Sequence, residues 1–90
     1  MEKLFAGPSH VRVVRKLIET RGELTQADLA RETGVSPSGV ARIIDSIRED
    51  EELEKVFVSE KKYPARVYRV NENHPIVKKL RLLFEEGEKE

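Results

Sequence analysis

Ninety residues with 17 Lys and Arg against 17 Asp and Glu carry no formal net charge, and cysteine is absent. A chain of this length suits one domain, residues 1–90, with a modest core, and the lack of thiols excludes a disulfide framework or a thiolate metal site. No apolar run approaches the roughly 18 residues of a membrane span, and the opening MEKLFAGPSH lacks a long apolar core, so a cytoplasmic protein without membrane contact is expected.

The first predicted helix runs from His10 to about Arg21 with Ser9 as its cap, because Val11, Val14, Leu17 and Ile18 recur at helical spacing and Gly22 follows as a stop. Glu23–Thr25 reads as a short extended link able to add one strand to a small sheet. The charged ends, 1–3 and 87–90, are expected to fray.

The segment 26–45, QADLARETGVSPSGVARIID, holds the densest set of local signals. Thr25 can cap a helix while Asp28 reaches back to close a capping box, and Leu24 with Leu29 forms a hydrophobic staple across that cap. Gly34 stands where a left-handed residue ends the helix, since glycine takes positive φ without a Cβ clash. Ser36 then caps a second helix with Pro37 at its first position, where the missing N–H costs nothing. Val35 and Val40 repeat the staple. Two helices so joined meet at a steep angle, and Ala30 is the small residue placed at their approach. An ordinary αα-hairpin can use the same devices.

Beyond this second helix, predicted over about 36–49, the acids Glu49, Asp50, Glu51, Glu52 and Glu54 fall where a helix C-terminus prefers cations. Residues 55–60 and 66–70 are rich in β-branched and aromatic side chains around KKYPA, which predicts a hairpin whose register the pattern leaves open. Asn73 or His74 caps a last helix, about 74–87, with Pro75 near its start, Ile76, Val77, Leu80, Leu83 and Phe84 as its apolar face, and Gly87 as its end.

The order α-(β)-α-α-β-β-α, mainly α with a small β-hairpin, resembles the winged helix-turn-helix domains of bacterial and archaeal transcription regulators, the archaeal ones most closely. The resemblance covers about residues 4 to 84 and is carried by LTQADLARETGVSPSGVARIIDSI and by ARVYRVNENHP. It implies a recognition helix in the major groove, a wing against backbone or minor groove, and a homodimer on a two-fold site.

With Val40, Ile43, Ile44 and Ile47 buried, about 100° per residue places Ser38, Arg42, Asp45 and Glu49 on the opposite face, bordered by Gly39 and Ser46. The base-contact candidates are therefore Ser36, Ser38, Gly39 and Arg42, at the end of the helix that reaches base edges first. Arg42 leads them, because a guanidinium can bridge guanine O6 and N7. Asp45 is read as orienting Arg42 through an i, i+3 pair, with acceptance from cytosine N4 as the alternative. Between 55 and 69 five cations stand against Glu60 alone, so Lys55, Lys61, Lys62, Tyr63 and Arg66 are the backbone candidates of the wing. Basic strands also serve to blunt sheet edges. Arg12, Arg15 and Lys16 fit solubility better than DNA.

Leu4, Phe5, Ile76, Leu80, Leu83 and Phe84 offer more apolar surface than one hairpin covers, and dimerisation through them is expected. His10 and His74 lie far apart in sequence, no Gly-rich phosphate loop is present, and no carboxylate spacing marks a catalytic pair, so a protein that is not an enzyme and uses no cofactor or metal is expected. Two functions follow. The first is a dimeric, sequence-specific reader of double-stranded DNA; the second, favoured by the neutral charge, is a winged-helix module that binds a partner protein.

Overall fold

The computed structural model describes residues 2–88, with the side chains of 4–85. A 3₁₀ turn, Glu2–Phe5, leads into α1 (Pro8–Glu19), β1 (Leu24–Thr25), α2 (Gln26–Thr33), α3 (Pro37–Ile47), α4 (Glu51–Glu54), β2 (Phe57–Lys62), β3 (Ala65–Val70) and α5 (Pro75–Glu88). The three strands form one antiparallel sheet in the order β1-β3-β2. The result is a winged-helix-like α+β fold.

Helix α1 begins two residues before the expected position. Pro8 occupies its first turn after Gly7, and Ser9 lies inside the helix, accepting a bond from Arg12 at 3.3 Å. The preset φ of proline serves here in place of a side-chain cap. The buried stripe is Val13, Val14, Leu17 and Ile18, so Val13 takes the place expected of Val11. After Thr20 the chain turns through Gly22, whose φ of 130° requires glycine, into β1.

The two-residue strand β1 pairs with β3, Leu24 opposite Tyr68 and Thr25 opposite Val67. In the hairpin Phe57 faces Val70, Ser59 faces Tyr68 and Lys61 faces Arg66. Period-two alternation therefore sends Phe57, Tyr68 and Val70 to the helices, where they join one core with Val14, Ile18, Leu29, Ile44, Leu53, Val77 and Leu80. Val67 is buried on the other face, where Thr25 and Glu60 are its cross-strand neighbours. Val56 is buried from the turn before β2, its carbonyl accepting from Asn71 at 2.9 Å, so Val56 and Phe57 both point inward in spite of being adjacent.

Helix α5 is capped by His74, whose Nδ1 accepts from the Ile76 amide at 3.2 Å. Arg81 fastens it to α1 by donating from Nε to the Ile18 carbonyl at 3.0 Å while pairing with Glu72. That pairing holds the Glu72 carboxyl below the usual carboxylate range. The helix continues through Gly87 to Glu88, since glycine lowers helix propensity by only about 1 kcal/mol and does not forbid the conformation. Of the ends expected to fray, Met1, Lys89 and Glu90 lie outside the described residues. No helix among the described residues is long and apolar enough to cross a membrane.

Candidate nucleic-acid interface

Two caps fix the helix-turn-helix pair. Thr25 Oγ1 accepts from the Asp28 amide at 3.0 Å and Asp28 Oδ2 accepts from the Thr25 amide at 3.3 Å, closing the capping box. Hydrogen bonding to Thr25 first and to Arg31 second holds the Asp28 carboxyl below its ordinary range. Gly34 ends α2 in the left-handed region at φ 77° and donates to the Ala30 carbonyl at 2.9 Å. Ala30 itself packs against the core. Ser36 caps α3 by accepting from the Gly39 amide at 3.1 Å. A bond absent from the sequence reading, Gln26 Nε2 to the Pro37 carbonyl at 2.6 Å, ties the start of α2 to the start of α3. Its signal was hidden because the partners are eleven positions apart and one of them is backbone.

The faces of α3 divide as its periodicity demands. Val40, Ile43, Ile44 and Ile47 are buried, and Ser38, Arg42, Asp45 and Glu49 are exposed. Arg42 has no ion pair among the described residues, and Asp45 does not orient it. The coulombic influence of Asp45 falls instead on Tyr68, whose hydroxyl is pushed up chiefly by burial. Arg42, Gly39 and Ser46 border an open cleft of about 370 Å³ whose far wall is Ser9 and His10 of α1.

Two of the four base-contact candidates have work inside the chain. The Ser36 hydroxyl oxygen is occupied as a cap. At Gly39 an added Cβ would lie 2.9 Å from both Ser36 Oγ and Val35 Cγ1, so a side chain there would disturb the cap and the staple. Ser38 Oγ stands 3.5 Å from Ser36 Oγ, and Ser38 and Arg42 are the exposed candidates without a capping role.

The acidic run does not end α3. That helix stops at Ile47, Arg48 donates from Nε to the Phe57 carbonyl at 2.8 Å, and Asp50 caps a separate short helix by accepting from the Glu52 amide at 2.9 Å. Glu51, Glu52 and Glu54 thus sit in the single turn of α4 and not in the last turn of α3. The expected helix of 36–49 therefore ends two residues early, and the acids from Glu51 onward belong to a separate helix beyond it.

In the hairpin, Lys61, Lys62 and Tyr63 crowd the tip, where Tyr63 is 96% exposed. Lys62 pairs with Glu23, which holds its ammonium above the usual lysine range, and Arg69 pairs with Glu60 at 3.2 Å. Arg66 donates to Ser59 Oγ at 3.0 Å and remains half-buried on the face of the sheet shared with Lys61. Lys61 has no carboxylate partner among the described residues. Lys55 is not part of this group: it lies before β2, lining a cleft with Glu51, Glu52 and His74, about 17 Å of strand away from the tip. On α1, Arg15 pairs with Glu19 and stacks over Phe84, and Lys16 pairs with Glu32, which leaves Arg12 the most exposed of the three.

The dimerisation candidates separate as well. Leu4, Leu80 and Phe84 are buried in the core of this chain and cannot form an outer face, while Ile76 packs against the core and is only partly covered. The 3₁₀ turn brings Leu4 inward, and only Phe5 and Leu83 of the expected six stay exposed, joined by Leu82.

The family described as Domain of unknown function (DUF7343) matches residues 9–58, more than half of the chain. The chain belongs to the DUF7343 family. The part that matches DUF7343 runs from the first turn of α1 through both helices of the helix-turn-helix pair to the opening of β2, so it holds Ser38 and Arg42 but neither the hairpin tip nor α5. No curated protein and no solved structure matches the chain.

Proposed function

We propose that this protein is a sequence-specific reader of double-stranded DNA, acting in the cytoplasm as a small dimeric transcription regulator without catalytic activity or cofactor. The observation that carries this reading is Arg42: an exposed guanidinium on the outer face of a helix capped by Ser36, with no ion pair to a carboxylate among the described residues. A helix presented in this way fits the major groove, and a guanidinium there discriminates guanine by about 1–3 kcal/mol. Ser38 supplies a weaker contact one turn earlier. Lys61, Lys62 and Tyr63 at the hairpin tip would meet the sugar-phosphate backbone, which sets affinity and register rather than sequence choice.

The neutral total charge and the pairing of Lys62 and Arg69 with carboxylates favour a second reading, a module that binds a partner protein through the same surface. Fluorescence anisotropy with an enriched duplex separates the two. Arg42→Ala should weaken binding to that duplex roughly 5- to 150-fold while leaving binding to random DNA nearly unchanged. An equal loss on both DNAs would make Arg42 a phosphate contact, and no loss on either would remove it from the interface.

A further inference from the structure

Helix α5 buries Val77, Leu80 and Phe84 yet leaves Leu82 61% and Leu83 52% exposed. Along its outer side the charges are segregated. Lys78 and Lys79 lie one turn before Leu82, and Glu85 one turn after it, all three exposed. Lys78 and Glu85 are seven positions apart, hence on one stripe of the helix, with Leu82 between them. In the sequence Glu86 follows Lys79 by the same seven positions. Such a stripe is complementary to itself when reversed, because a two-fold rotation centred near Leu82 sets each lysine end against the glutamate end of a second copy. Beside Leu82 an open cleft of about 730 Å³, walled by Arg21, Lys78 and Arg81, extends the basic end toward the α1–β1 turn. Within the cleft Glu72 is paired with Arg81 and is also under the influence of Arg21, which leaves Lys78 to meet an acid from outside.

We infer that the outer face of α5 binds α5 of a second copy of this chain, antiparallel, with Leu82 packed on its symmetry mate and Lys78 paired with Glu85 of the partner subunit. The inference rests on the dimeric part of the reading above and names its interface. Parallel pairing would set lysines against lysines, so the charge order selects the direction.

Light scattering on the whole chain across a concentration series tests it. Wild type should show a monomer–dimer equilibrium. Lys78→Glu with Lys79→Glu should raise the dimer dissociation constant roughly ten-fold or more, and so should Glu85→Lys with Glu86→Lys. All four changes together restore the charge pattern in reverse and should restore the dimer, which unfolding could not do. A wild type that stays monomeric at high micromolar concentration, or a dimer indifferent to every reversal, overturns the proposal and assigns the leucines to a different partner. The same proteins titrated with duplex DNA keep the two readings apart. A monomer that still selects a sequence defeats only the dimer interface, and a charge-sensitive dimer that ignores DNA defeats only the DNA reading.

Discussion

At the scale of single residues, Gly39 shows that a position suited to a ligand can be required by the fold alone. A Cβ there would stand 2.9 Å from Ser36 Oγ and Val35 Cγ1 and force one of them to shift, so the cap geometry favours glycine before any DNA is considered. Asp28 is a second case in which local chemistry is measurable. Its carboxyl is held below the ordinary value by Thr25 and Arg31, so its contribution to stability is complete above the unfolded carboxylate pKa and is lost as pH falls through the lowered folded value. Thermal unfolding of wild type and Asp28→Asn should therefore differ at neutral pH and converge in acid. A gap that persists unchanged down to about pH 2 would show that the capping carboxylate is not what stabilises the helix. The caps at Thr25, Gly34 and Ser36 were legible because each depends on neighbours within four positions. The partners of Gln26 and Lys62 were not, because those contacts join segments 11 and 39 positions apart.

At the scale of elements, the outcome depends on how local the deciding interaction is. The stripe of α3 and its exposed face followed from period alone. The end of α3 did not, since the acidic run was read as one helix terminus when Asp50 starts a new helix; an Asp followed by two glutamates is an N-terminal signal, and its proximity to Ile47 concealed it. Leu4 was assigned to the surface among the apolar residues that one hairpin could not cover, whereas the 3₁₀ turn folds it into the core. In the hairpin, register is set by pairing with β1 and β3, which no single strand encodes. The same pairing distributes the wing charges unequally. Lys61→Ala should reduce the slope of log affinity against log salt by about 0.9 in a DNA titration, and Lys62→Ala by less, because the Lys62 ammonium is already partnered by Glu23. Equal reductions would mean that DNA displaces Glu23.

At the scale of the molecule, neutrality hides a separation of charge. Acids gather in α4, beside Lys55 and His74, while cations without a carboxylate partner among the described residues occupy the hairpin tip and the outer face of α3. A basic hairpin tip can attract a polyanion in spite of a net charge of zero, and Arg42 shares the outer face of α3 with the exposed carboxylates Asp45 and Glu49. Selection from a random duplex library, followed by anisotropy of the enriched DNA across salt concentrations, tests the proposal that α3 and the hairpin tip read duplex DNA by sequence. Enrichment of a two-fold repeated sequence, bound with an affinity that falls steeply with salt, is the predicted result. Absence of binding even at low salt, or binding without enrichment, would contradict it.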